Sequence, residues 1–175
     1  MTAKIIDGKA IAENLLITIK SKIDVRVATG KRPPCLAVIL VGADPASAIY
    51  VRNKRKACDK VGIRSIAHDL AVNTSESDLF ALIDDINHDS SIDGILVQSP
   101  LPHHINEDKL IEHISVDKDV DGFHPYNIGR LAVRKPTLRS CTPFGVIKML
   151  EASGIQLMGL DLSLIHISEP TRLRR

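Results

Sequence analysis

Tryptophan is missing from the 175 residues, and phenylalanine and tyrosine bring aromatics to only 3%. So few flat rings leave no stacking platform for single-stranded nucleic acid. Neither sign of charge dominates: the formal excess of +2 comes from Arg172, Arg174 and Arg175 set against Glu169, and the first 161 residues balance. That excludes a basic surface built for nucleic acid or anionic lipid. Cysteine is scarce, with Cys35, Cys58 and Cys141 far apart and odd in number. No disulfide framework or paired metal-ligand spacing follows, so they read as free, mostly buried thiols in a reducing compartment. No run is apolar enough to cross a bilayer, and Met1–Gly8 has no hydrophobic signal core, which implies a cytoplasmic protein. A glycine-rich G-x-G-x-x-G turn occurs nowhere in the chain. Internal repeats and low-complexity linkers are also lacking.

What remains is an ordinary globular composition, 44% hydrophobic and 25% charged, long enough for one α/β domain with a real core. The pattern predicts a short strand at Lys4–Ile6. A helix follows from about Gly8 to Ala28, with Ile11, Leu15, Ile19 and Ile23 down one stripe. Leu36–Val41 is continuously apolar and β-branched, as in a strand buried on both faces. A helix capped by Asp44, with Pro45 at its first position, runs to Gly62 with Ala46, Tyr50, Ala57 and Val61 on or near its inner side. Ile63–Leu70 alternates as a weaker strand. Thr74–Asp78 opens another helix, with Leu79, Leu82, Ile83 and Ile86 as its stripe, and Ile92–Val97 is the next strand. A short helix near Glu107–His113 and a loop over residues 116–125 follow. Ser140–Gly145 starts a last helix, over Val146–Ala152, with Val146, Met149 and Leu150 inward. Strands alternating with helices through short connectors predict an α/β fold: a three-layer open parallel sheet with flanking helices.

Tyr50 and Lys54 stand four apart on the helix after the first buried strand, with Ser47 one turn earlier. A phenol, an amine and a hydroxyl thus converge beyond the carboxyl end of a strand, where open α/β sheets bind small molecules. Spacing alone favours a packed ring and a snorkelling amine. Other segments change the balance.

Those segments are Lys4–Lys9, Val41-Gly42 with Ser47–Cys58, Gly94–Pro102, Asp117–Pro125 and Cys141-Thr142-Pro143. In this order they resemble the bifunctional methylenetetrahydrofolate dehydrogenase/methenyltetrahydrofolate cyclohydrolase family, nearly continuously from Lys4 to about Asp161. The resemblance implies a folate-binding catalytic domain over residues 1–161, NADP as cofactor, a homodimer, and no metal. It implies that Lys54 is the catalytic lysine, that Tyr50 packs against the folate rings, and that Gln98 hydrogen-bonds both the lysine and the substrate. Asp121 would accept from the pterin's donor edge, Ser47 and Pro100 would line the substrate site, and Thr142 would lie toward the cofactor. The residue types suit that chemistry. A carboxylate orients a donor edge through charge-assisted bonds. A lysine can exchange a proton with the water that opens a methenyl bridge, and an amide can donate and accept at once.

The chain departs from the family pattern at Ser99, where Leu is usual, and at Ser140, where Pro is usual; altered loop packing is expected at both. The expectation is also that residues 162–175, which do not read as family sequence, are a non-native tail. A Rossmann-like cofactor domain would then be missing, and dehydrogenase activity with it. A catalytically idle folate-domain fragment, acting only in dimerisation or regulation, is the alternative. Short-chain dehydrogenases also carry Tyr-x-x-x-Lys, but they need a glycine-rich turn before it, which Met1–Pro34 lacks. His103-His104 has no third ligand at metal spacing, and His124 reads as a loop hydrogen-bonding residue.

Overall fold

Strand β1 (Cys35–Val41) is buried along its whole length except at half-buried Leu36. Side chains alternate across a strand, so an apolar residue at every position needs cover on both sides. The computed structural model, which describes residues 5–159, supplies that cover. Around β1 stand α1 (Gly8–Ala28), α2 (Pro45–Val61), β2 (Arg64–Leu70), α3 (Glu76–His88), β3 (Gly94–Val97), α4 (Glu107–His113), α5 (Pro125–Ala132) and α6 (Cys141–Ala152). The three strands form one parallel sheet in the order β2-β1-β3, with Cys35 opposite Arg64 and Leu36 opposite Gly94. The predicted three-layer α/β architecture is the one observed.

On one face Cys35, Ala37, Ile39 and Val41 pack with Leu79, Ile83 and Ile86 of α3 and Leu110 of α4. On the other, Val38 and Leu40 meet Val51 of α2 and Leu96 of β3. Ile39, Leu79, Ile83 and Ile95 are each no more than 1% exposed. Burying each contributes roughly 1.5–3 kcal/mol, so both helical layers are held mainly by contact with the sheet.

The helix ends follow the sequence signals. Asp44 accepts from the Ser47 N–H at 2.7 Å, Pro45 occupies the first turn, and left-handed Gly62 closes α2. Ser75 caps α3 and Asn106 caps α4 through their side chains.

Several expectations are corrected. Ile5 and Ile6 form no strand, and Lys4 lies outside the described residues; Ile5 is 88% exposed, with no strand edge beside it. On α1 only Ile23 is buried, and Leu15 stays exposed although the stripe predicted it inside. α2 turns Ser47, Val51, Cys58 and Val61 inward, leaving Ala46 exposed and Tyr50 62% exposed. Strand β3 begins at Gly94 rather than Ile92, because the Ile92 N–H turns back to the Asp89 carbonyl at 3.1 Å; the Asp93 carboxylate beside it holds Arg32 and the Cys35 N–H. Helix α5 was not anticipated. Its signal is His124-Pro125, in which His124 Nδ1 accepts from the Tyr126 N–H at 3.0 Å ahead of a proline in the first turn. α6 is helical from Cys141, five residues before Val146, since Pro143 falls in the first turn, where no N–H is required. Val146, Met149 and Leu150 are half-buried rather than inward-facing core. The boundary expected at Asp161 and the tail beyond it lie outside the described residues.

Candidate active site

Lys54 and Gln98 meet across two neighbouring strands. β1 leads into α2, whose third turn carries Lys54; β3 ends at Val97, and Gln98 continues its ladder by donating its N–H to the Ile39 carbonyl at 2.9 Å. The half-buried Lys54 Nζ donates to Gln98 Oε1 at 3.1 Å. β1 has its α2-linked neighbour β2 on one side and β3 on the other, so this point is the switch in strand order.

Asp121 completes the group from a third segment. The Ile95 N–H donates to the Lys118 carbonyl at 2.8 Å, laying residues 118–119 alongside β3. Buried Asp119 then organises the turn: its carboxylate accepts from the Gly122 N–H at 3.0 Å, the His124 N–H at 2.9 Å and Asn127 Nδ2 at 2.9 Å. Asn127, 1% exposed, also donates to the Val116 carbonyl and accepts from the Thr137 hydroxyl. Gly122 has φ +68°, and a Cβ there would lie 2.6 Å from the backbone of Arg139 and Ser140. Only glycine lets the turn lie this close to the start of α6. His124 is the loop hydrogen-bonding residue anticipated. Asp119 and Asn127 were not singled out from the sequence; a buried Asp–Asn pair eight apart leaves no periodic signal.

Burial pushes the Asp121 carboxyl above its ordinary value; the Lys54 ammonium pulls it down and the Asp119 carboxylate pushes it up again. The Cys141 thiol is raised by burial and by Asp121, and lowered by Lys54. Both responses place Lys54, Asp121 and Cys141 within one another's fields. Asp121 lines a pocket with Ser99, Glu107 and Asp119, walled by Ile95, Val97, Leu101 and Phe123 among others. This recess holds only about 40 Å³ and is not lined by Lys54, Gln98 or Tyr50, so it is a niche beside the site, too small to take a whole heterocycle.

The other predicted residues are placed as follows. Tyr50, one turn before Lys54, leaves its ring exposed to a ligand. Ser47 is 2% exposed, sunk into the packing of α2. Pro100 is exposed after a cis Ser99–Pro100 bond. Ser99, in the family's usual Leu position, donates its hydroxyl to Glu107. Thr142 is exposed and lines a groove with Ile11 and Leu15 of α1. His104 meets the Thr74 carbonyl at 2.8 Å, and no cluster of three metal-ligating side chains occurs among the described residues.

Comparison with known proteins bears on this geometry. Residues 6–121 match the family described as tetrahydrofolate dehydrogenase/cyclohydrolase, catalytic domain. A relative from Methylobacillus flagellatus, named bifunctional protein FolD, is 66% identical over 168 residues, which is 96% of this chain and 58% of that protein. The crystal structure of the bifunctional FolD methylenetetrahydrofolate dehydrogenase/cyclohydrolase from Campylobacter jejuni superposes with a TM-score of 0.88. Identity is 46%, covering 90% of this chain and 56% of that one. The Trypanosoma brucei methylenetetrahydrofolate dehydrogenase-cyclohydrolase, complexed with NADP cofactor and inhibitor, gives 0.85 at 31% identity over 91% and 55%. The chain thus spans somewhat over half the length of these relatives. Its sequence, its sheet and the motif blocks around Lys54, Gln98 and Asp121 agree: it belongs to the tetrahydrofolate dehydrogenase/cyclohydrolase family.

Proposed function

We propose that this chain serves one-carbon folate metabolism as the catalytic domain of a methylenetetrahydrofolate dehydrogenase/methenyltetrahydrofolate cyclohydrolase. The overall conversion is NADP-dependent oxidation of 5,10-methylenetetrahydrofolate to the 5,10-methenyl form, then hydrolysis to 10-formyltetrahydrofolate. One observation carries the reading: the Lys54–Gln98 hydrogen bond, with Asp121 within the field of the lysine, at the strand switch point of a chain in this family.

Asp121 accepts from the pterin's donor edge. Its desolvated carboxylate gains most from a ligand that brings N–H groups to it. Tyr50, exposed one turn from Lys54, packs over the folate rings, and Pro100 shapes the margin of the site; Ser47, 2% exposed, is too deeply buried to line it as the sequence suggested. In the hydrolysis, water adds to the methenyl carbon and gives up a proton. The ring C–N bond then opens, with its electron pair and a proton passing to nitrogen. Lys54 Nζ is the group placed to move that proton, and Gln98 Oε1 holds the amine in position.

The oxidation would require NADP, which would supply the hydride acceptor. The described βα turns do not fit its phosphates. Asp44 caps α2, Ser75 precedes Glu76 and Asp78 on α3, and Asn106 precedes Glu107 and Asp108 on α4. Each N-terminus is already capped by a side chain, and the Asp44 cap of α2 and the first-turn acids of α3 and α4 repel a pyrophosphate. Thr142, exposed in the first turn of α6, is the residue we assign to the cofactor side. A cytoplasmic homodimer belongs to the same proposal. It is supported by the apolar side chains exposed on α1 (Leu15, Ile17, Val25 and Val27) and by the lack of any described helix long and apolar enough to cross a membrane.

Calorimetric titration with 5-formyltetrahydrofolate, a stable reduced folate, tests the site. Saturable binding that Asp121→Asn weakens about tenfold or more is expected for loss of a charged acceptor. Binding unaffected by Asp121→Asn would remove that residue from the pterin site. Folate binding without hydrolysis would favour the idle-fragment reading.

A further inference from the structure

Gln98 is held at both ends of its amide. Oε1 accepts from Lys54 Nζ at 3.1 Å, while Nε2 donates to the carbonyl of its neighbour Ser99 at 2.6 Å. The opposite amide orientation would set an NH₂ group against an ammonium and a carbonyl against a carbonyl. The acceptor end therefore faces Lys54 only while the Ser99 carbonyl stays where it is.

Ser99 is itself tethered. Its hydroxyl donates to the Glu107 carboxylate, in the first turn of α4. That turn is anchored in three ways: Asn106 caps it through the Lys109 N–H at 3.0 Å, the Asn106 N–H donates to Glu76 of α3 at 2.6 Å, and Leu110 is 2% exposed. A chain of contacts thus runs from the α3–α4 layer through Glu107 and Ser99 to the Gln98 amide and ends on the Lys54 ammonium. Besides the tether, the segment after β3 is held by the Gln98 backbone bond to Ile39 and by the packing of Leu101 on the core, neither of which fixes the Ser99 carbonyl directly.

We infer that Ser99 and Glu107 form a latch that fixes the orientation of the Gln98 amide, making both of them positioning residues for Lys54. The inference rests on the proposed role of Lys54 and Gln98. A serine hydroxyl bonded to a carboxylate is a charge-assisted bond, stronger than a neutral one. Its worth to the enzyme lies in orientation, since small misplacement of a reacting group is costly in rate.

The test uses the full chain and two independent readouts. The first is the side-chain amide signal of Gln98 in ¹H–¹⁵N spectra, with no substrate present. In the wild type the two Nε2 protons should differ strongly in shift and exchange, because one is bound to the Ser99 carbonyl. Ser99→Ala and Glu107→Ala should each collapse that difference, whereas Glu107→Gln, whose side-chain carbonyl still accepts from the hydroxyl, should keep most of it. The second readout is methenyltetrahydrofolate hydrolysis. Each alanine variant should lower kcat about tenfold with KM little changed, Glu107→Gln should recover much of the loss, and the double alanine variant should be no worse than either single one. A Gln98 signal indifferent to both alanine substitutions, or additive effects in the double variant, would overturn the latch. A wild-type chain without hydrolytic activity would instead count against the proposed function, and the amide signal would still decide the latch.

Discussion

Asp121 illustrates how a residue suited to its proposed role can oppose stability. Burial raises its carboxyl above the ordinary value, so the folded state holds its proton more tightly than the unfolded chain. Between the ordinary and the raised value the native state binds more protons, and stability falls as pH rises through that window. At neutral pH the ionised, half-buried carboxylate is therefore a cost. Asp121→Asn should raise the thermal midpoint at pH 7 while weakening folate binding; a lowered midpoint would show that the carboxylate is structurally required. Asp93 has the opposite sign. Arg32 and the Cys35 N–H hold it below the usual carboxylate range, so its contribution is fully present above the ordinary carboxylate value and is lost as pH falls from there through the lowered one. Acid titration followed by circular dichroism should show that loss, reduced in Arg32→Ala. At this scale the sequence was readable where it carried motif blocks: Lys54 does bond Gln98, 44 residues away, although no spacing rule joins the two. It was unreadable for Asp119 and Asn127, whose roles exist only because the chain folds back on itself.

Elements announced by caps and breakers were the most legible. Asp44-Pro45 and Gly62 bracket α2, and Ser75 opens α3, because these residues satisfy backbone groups that any helix end leaves open. Faces were harder. Tyr50 shares a helix with Val51, but which of them turns inward depends on where α2 lies across the sheet, and the sheet takes Val51. The short strand expected at the N-terminus failed for the same reason, since an apolar run becomes a strand only when an edge receives it. The 119–124 turn offers a sharp test of element-level packing. Gly122 combines a left-handed backbone with backbone atoms of Arg139 and Ser140 where a Cβ would sit. Gly122→Ala should cost more than about 2 kcal/mol, read as a lower urea midpoint, and should weaken folate binding by shifting Asp121. An unchanged midpoint would mean that the turn has room to relax.

At the scale of the whole molecule, three separated segments meet because a parallel sheet brings the carboxyl ends of its strands to one edge. Helix α2 after β1, the loop after β3, and the turn laid beside β3 then deliver amine, amide and carboxylate together. The side-chain caps of α2, α3 and α4, with Asp44 at the first and acids in the first turns of the other two, disfavour a diphosphate at these helix ends. The central claim is that Lys54, held by Gln98, moves the proton in opening the methenyl bridge. The most direct measurement is the absorbance decay of 5,10-methenyltetrahydrofolate with the purified chain and no NADP, comparing wild type with Lys54→Met. The account predicts hydrolysis above the uncatalysed rate in the wild type, and a loss of about 100-fold or more in the variant, as for removal of a proton-transfer group. Equal rates in the two proteins, both above background, would contradict it.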